Sequence, residues 1–377
     1  MNRHRLRRGA AWVALALVVS SGAAGCTQMR SIEADALIVG VGLDPGAKPA
    51  TVAVLAQWFY HGAPTGSSGG GAGGGGGSGG GTQIESLVGQ GATVAAAVDQ
   101  VQAQTDQRVT YAALQLIVVG DSLARSGVDV PLDEFWRSDE VFPETEVAVA
   151  KGSAGGLLGI KMPSGTAFSL YQRLSASGGT ATGSIPIPLW DFLARVNSPF
   201  LAAWAPLFQP LGQGYESAGT AVFRGDRLAG ELGVADTATL SWLLKAGGYQ
   251  DLLVPAGGPA GQTVVLRVNS RQLRVAAPDA QDGTVALDLQ TQVRAGFGLQ
   301  LAGADPRALE AEAATQATED VQALLTRLQA ADSDVLGFGE RLRERDPAAA
   351  AAWPDGFAAM HIQVRVAVHV GTSGRVG

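Results

Sequence analysis

The chain contains one cysteine, four histidines and four lysines among 377 residues. A lone thiol excludes an internal disulfide, so the fold has to be held by its apolar core, and 46% apolar residues are enough for that. Charge is also sparse, at 16% of residues, with a net value of −7 and no basic run in the body of the chain. That balance argues against nucleic acid as a partner and against electrostatic adhesion to an anionic bilayer. After residue 25 no apolar run is long enough to span a membrane. The predominance of arginine over lysine, with the richness in Ala and Gly, reads as base-composition bias and carries no chemistry.

Catalytic patterns are missing too. There is no G-x-S-x-G elbow and no S-x-x-K. Gly40-Val41-Gly42 follows an apolar strand, but the next glycine, Gly46, sits behind Pro45 and no helix follows. A dinucleotide loop needs a helix N-terminus there, so a strand end with a tight turn is expected instead. The Gly/Ser tract over 66–81 lacks the Lys-Ser/Thr ending of a phosphate loop. His361 and His369 share one face of a strand but stand about 26 Å apart at the usual rise, too far to share a metal. His61 adjoins the Gly/Ser tract, and His4 lies in the leader described next. The carboxylate pairs Glu144/Glu146 and Asp332/Asp334 read as solvated turns and helix caps. No catalytic, cofactor or metal site is expected.

What the chain does have is an N-terminal sorting signal. Arg3, Arg5, Arg7 and Arg8 precede an apolar stretch from Ala10 to Val19, and small residues Ser20 to Gly25 lead to Cys26. This is the layout of a bacterial export signal, too short for a permanent span. Small residues before a cysteine suit lipoprotein processing, in which a diacylglyceryl group is attached as a thioether and the new N-terminus is acylated. The alternative is an ordinary secretory signal with a chance cysteine. Removing 1–25 takes away four arginines and no acid, so the net charge moves from −7 to −11 over 352 residues. Lipid on Cys26, at about 0.8 kcal/mol per buried methylene, would then supply membrane residence.

Two parts are expected. In the first, 26–195, Leu37–Leu43 and Thr51–Phe59 predict an antiparallel pair about Asp44-Pro45-Gly46. The tract 66–81 predicts a surface loop, and Glu85–Gln104 a helix with Leu87, Val94, Val98 and Val101 on one stripe. Leu114–Val119 and Glu146–Lys151 read as buried strands. Prolines and aromatics over 184–214 mark a boundary, with 196–214 as a packed connector. In the second part, 215–377, a hairpin turning at Gly225-Asp226 opens the sequence. A helix capped by Asp236 and ending at Gly247-Gly248 comes next, then strands near 263–268, 272–276 and 284–295, with a turn at Asp282-Gly283. A long helix starts at Asp305-Pro306 with Leu309, Ala313, Ala317, Val321, Leu324 and Leu328 inward and ends near Ala331. A short helix over Gly337–Arg345 and a strand over His361–Val370 close the chain. The class is α+β and multi-domain: an N-terminal mixed sheet with helices, then a mostly antiparallel C-terminal sheet packed by the long helix.

Seven segments, in order, carry a resemblance. They are Cys26 with Ile32 and Ala36-Leu37-Ile38-Val39-Gly40-Val41-Gly42-Leu43-Asp44; Arg108-Val109-Thr110-Tyr111 with Leu116 to Ala124; Phe135 to Glu140; Val149 to Ala154; Gly219 to Gly230; Ser333 to Gly339; and Trp353 with the terminal strand. Together they resemble the GerAC/GerBC/GerKC-type spore germination lipoproteins over nearly the whole mature chain. Thr27, where the family usually has Trp, Ser31, in place of a usual acid, and the 66–81 tract depart from the pattern. The resemblance implies the C subunit of a nutrient germinant receptor, without enzymatic activity. It would be lipid-anchored through Cys26 on the outer face of the spore's inner membrane, beside integral-membrane A and B subunits. Whether such a subunit binds nutrient directly does not follow from it. An extracytoplasmic solute-binding lipoprotein of a transport system is the second reading, and an envelope hydrolase the third.

Overall fold

A computed structural model describes residues 35–60, 83–175, 183–244, 251–255, 263–293, 306–353 and 356–371. The leader, Cys26, His61 and the 66–81 tract lie outside the described residues. β1 (Asp35–Pro45) and β2 (Val52–Tyr60) form the expected antiparallel pair, closed by a 2.7 Å hydrogen bond from the Gly46 N–H to the Thr51 carbonyl. β3 (Gln83–Gly91) then pairs with β2 along its whole length, so the first part of the expected 85–104 helix is a strand. Helix α1 is confined to Val94–Gln102, capped by Thr93. It lies so close on β3 that a Cβ on Gly89 would meet the Ala97 carbonyl oxygen at 1.9 Å. Leu87 therefore belongs to the strand period, and Val94, Val98 and Val101 to the helical one.

The chain continues through β4 (Arg108–Thr110), β5 (Leu116–Gly120), α2 (Asp121–Ser126), α3 (Asp129–Arg137), β6 (Glu146–Ala150), α4 (Ala154–Leu158), α5 (Thr166–Ser175) and α6 (Leu189–Val196). Next come β7 (Trp204–Leu211), β8 (Gly214–Arg224), β9 (Arg227–Leu232) and α7 (Val234–Leu243). The strands make one nine-stranded mixed sheet, ordered β3-β2-β1-β5-β6-β7-β8-β9, with β4 beside the start of β1. β1, β5, β6 and β7 run parallel at its centre. All five residues of β5 are buried, as expected for a strand covered on both faces. One face packs Leu132, Phe135 and Phe192, the other Leu157, Leu158 and Leu170. Gly40 lies in mid-strand and not at a strand end. A Cβ there would stand 2.1 Å from the Ala167 Cβ, so the glycine lets α5 press onto the sheet.

This sheet runs straight through the segment expected to be a connector. β7 spans Trp204–Leu211 within it and lies beside β6, where the Lys151 N–H donates to the Phe208 carbonyl at 2.8 Å. The hairpin β8–β9, expected to open the second part, continues the same sheet antiparallel to β7. Trp204, Ala205, Leu207 and Phe208 are buried, which is how a proline- and aromatic-rich stretch becomes an internal strand. Its register slips between Leu207 and Phe208, next to Pro206, where a proline has no N–H to offer the ladder.

The second sheet follows the order β10 (Asp251–Pro255), β11 (Thr263–Ala276), β12 (Asp282–Val293) and β13 (His361–Gly371). Its first two pairings are antiparallel, and the last is parallel, from Asp282↔His361 to Gln292↔Gly371. The two strands expected at 263–268 and 272–276 are one, bulged between Val268 and Ser270. The turn falls before Asp282, where an Asp279 carboxylate oxygen accepts the Gln281 and Asp282 N–H groups at 2.8 Å each. Between β12 and β13 come α8 (Pro306–Ala330), α9 (Phe338–Arg345), α10 (Pro347–Ala351) and α11 (Gly356–Ala359). Helix α8 buries the whole expected stripe from Leu309 to Leu328. Asp236 lies in the first turn of α7 and pairs with Arg327 of α8 at 2.7 Å instead of capping its own helix, while Gly247-Gly248 lies outside the described residues. Both sheets and α8 share one contiguous apolar core.

Candidate functional site

The residues that carried the resemblance meet at two places. At the N-terminal end of the central strands, Asp35 opens β1 opposite Arg108 of β4. There Glu140 accepts the Thr110 hydroxyl at 2.7 Å and the Tyr111 N–H at 3.0 Å, and pairs with Arg108 at 3.3 Å. The Thr110 hydrogen bond, the Tyr111 N–H and the Arg108 charge hold the Glu140 carboxyl below its ordinary range, against some burial. Cys26, the one residue expected to be modified, precedes this end by nine residues of sequence and lies outside the described residues.

The second place is the seam between the sheets. Ser333 donates its hydroxyl to the Phe223 carbonyl of β8 at 2.7 Å. Asp334 accepts three backbone N–H groups at the start of α9, from Gly337 (2.8 Å), Phe338 (3.0 Å) and Gly339 (2.8 Å). Burial pushes its carboxyl up to about 6, while those N–H groups and Arg341 pull the other way. Gly337 takes φ +73°, open to glycine without strain, and a Cβ on Gly339 would meet the Trp353 ring at 2.9 Å. A cavity of about 140 Å³ opens here, lined by Pro199, Phe200, Arg224, Asp334, Trp353 and Phe357. The Trp353 indole N–H is buried without a partner, whereas Arg224 is engaged by Asp332 at 3.1 Å.

The carboxylate pairs thus divide differently from expectation. Asp334 is a helix cap, but a buried one. Glu146 is largely enclosed at the start of β6, and burial pushes it up to about 7 against one backbone hydrogen bond at Ile187. Glu144 is exposed. A spacing of Asp three residues before Gly-Phe-Gly was the available signal for the α9 cap; for Glu146 it was the place at the start of the buried strand expected over Glu146–Lys151. His361 and His369 sit apart, beside Asp282 and Asp288 at 3.4 Å each. Among the described residues no group of three or more His, Cys, Asp or Glu could hold a metal ion. The seam joins the two sheets through the Ser333 and Asp334 hydrogen bonds.

Residues 28–210 match the model of the spore germination protein N-terminal domain, and residues 218–374 match that described as spore germination B3/GerAC like, C-terminal. The chain belongs to the GerAC family of spore germination proteins. Its fold is similar to the crystal structure of the GerBC protein, with a TM-score of 0.53, 14% identity, and coverage of 89% of this chain and 99% of that one. No curated protein sequence matches. At that identity the GerBC likeness speaks for the fold, and the two family segments account for both sheets of this GerAC-family chain.

Proposed function

We propose that this chain is the lipid-anchored C subunit of a nutrient germinant receptor. It is made with a leader over residues 1–25 and tethered through Cys26 to the outer face of the spore's inner membrane. It takes part in nutrient-triggered germination through contacts with integral-membrane A and B subunits and does not turn over a substrate. The observation that carries this reading is the ordered match of both GerAC-family segments behind a lipoprotein-type leader. Among the described residues no helix is long and apolar enough to cross a membrane. Confinement near the membrane plane raises the effective concentration of the chain for its partners, so weak contacts suffice. A transport-type solute receptor would instead hold its ligand in a cleft between two α/β lobes, and here the second sheet is small and mostly antiparallel.

The test is a Cys26→Ala allele in the spore former that carries the gene. The variant is expected to leave the spore membrane fraction, and the spores to lose their response to the receptor's nutrient. Mass spectrometry that finds residue 26 of the wild-type protein unmodified, or mutant spores with an unchanged nutrient response, ends the proposal.

A further inference from the structure

Among the described residues three large aromatic side chains are widely exposed: Trp136 (51%), Phe142 (60%) and Trp190 (48%). They lie together at one end of the molecule. β1, β5 and β6 are parallel, so Asp35, Leu116 and Glu146 begin these strands at the same end of the sheet. Phe142 lies four residues before β6, and its carbonyl accepts the Thr145 N–H at 3.0 Å. Trp190, in the first turn of α6, donates its N–H to the Pro143 carbonyl at 3.2 Å. The start of α3 meets the far end of α6 at Asp129 and Asn197 (3.4 Å), and near its other end Phe135 packs edge-on against Tyr111 (5.3 Å between ring centroids), just after β4, which pairs with the start of β1. The last turn of α3, with Trp136, is thereby brought to the end that holds Trp190. Val88, Val130, Leu211, Val234 and Leu253 are exposed as well, but they are aliphatic, and Leu211 lies at the opposite end of the parallel strands.

The aromatic end is also where the described chain begins. Cys26 stands nine positions before Asp35, and at full extension such a segment spans at most about 32 Å. A tether of that reach attached at this end turns these aromatics toward whatever holds the lipid. Tryptophan and phenylalanine favour the headgroup layer, where an apolar ring meets water at its rim. Charge does not compete as an explanation: Arg137 pairs with Asp133, Arg108 with Glu140, and Asp139 and Glu144 are exposed acids.

We propose that Trp136, Phe142 and Trp190 seat in the interfacial layer of a phospholipid bilayer, fixing the orientation of the protein on the membrane. The proposal rests on the lipid-anchor reading above. The experiment uses lipidated protein purified from membranes and reconstituted into phosphatidylcholine vesicles whose acyl chains are brominated near the headgroup. Tryptophan emission is expected to be quenched. Trp136→Phe/Trp190→Phe protein should lose most of that quenching, because Trp58, Trp204 and Trp242 are buried. An unchanged urea midpoint certifies the fold of the double variant.

Unquenched emission from vesicle-bound protein overturns the proposal, as does equal quenching in the double variant. Quenching that appears only when anionic lipid is added also overturns it, since the attraction would then be electrostatic. If pure lipid gives no quenching while Trp136→Ser/Trp190→Ser abolishes co-purification of a membrane protein, the face is a protein interface and the bilayer proposal falls. Loss of the anchor reads out separately, as protein that fails to sediment with any vesicle and carries an unmodified Cys26.

Discussion

Asp44 accepts the backbone N–H of Gly155 at 2.7 Å, across 111 residues of sequence. Its second carboxylate oxygen takes the Ala154 N–H at 2.8 Å, so the end of β1 caps helix α4 from outside, beside the local cap of Ser153 on Gly156. A helix of five residues has little stability of its own, and these contacts fix where it docks. Asp44→Ala leaves two N–H groups unpaired and should cost about 1–2 kcal/mol in urea unfolding. Asp44→Asn, which keeps one acceptor oxygen, should cost less; an Asn variant as stable as wild type would show that the negative charge at the helix start is irrelevant.

Asp334 meets three N–H groups inside the seam. Asp334→Ala is expected to cost about 2–4 kcal/mol. Ser333→Ala should cost only about 1 kcal/mol, because one neutral hydrogen bond is lost. Chemical denaturation ranks the two, and a reversed order would contradict the capping role.

Glu146 and Asp334 both have folded-state pKa values raised above those of the unfolded chain, to about 7 and about 6, chiefly by burial. Between the unfolded and folded values the native state holds more protons, so their contribution is greatest at low pH and is lost as pH rises through 6 and then 7. Glu146→Gln cannot ionise and should flatten part of that slope. At about pH 8 it should be more stable than wild type by roughly 1–3 kcal/mol, the advantage shrinking toward pH 5. Parallel stability curves for the two proteins over that window would refute the burial of this carboxyl.

Gly40 faces Ala167 with no room for a methyl group. Gly40→Ala should therefore destabilise by about 2–3 kcal/mol through overpacking. Adding Ala167→Gly should restore part of the loss, and the double-mutant cycle measures the coupling. Purely additive losses would place the two residues out of contact.

The position of β8 and β9 in the large sheet makes a prediction about fragments. A chain ending at residue 213 strips two strands from the sheet and bares the edge of β7, so it should aggregate. A chain ending at Leu232 keeps the nine strands and should be the more soluble of the pair, by sedimentation after expression. Equal solubility would argue that the hairpin belongs with the second sheet.

Several elements were readable from their residues because their determinants are local. The β1–β2 hairpin, the turn at Gly225 and the α8 stripe each rest on a periodicity or a turn residue within a few positions. β3 misled because a strand followed at once by a helix merges two apolar periods into one stripe, and only pairing with β2 separates them. The connector misled because its prolines and aromatics suit either a packed linker or a strand with neighbours on both faces.

The sequence by itself determined the α+β class and the buried stripes, because each is written in spacing along the chain. The tertiary structure alone decided that β7, β8 and β9 extend the first sheet, that Asp334 is buried under three N–H groups, and that the exposed aromatics gather at the end where β1 starts. Those outcomes depend on which strand edges and helix ends find one another across a hundred residues or more, and burial follows from that pairing, not from composition.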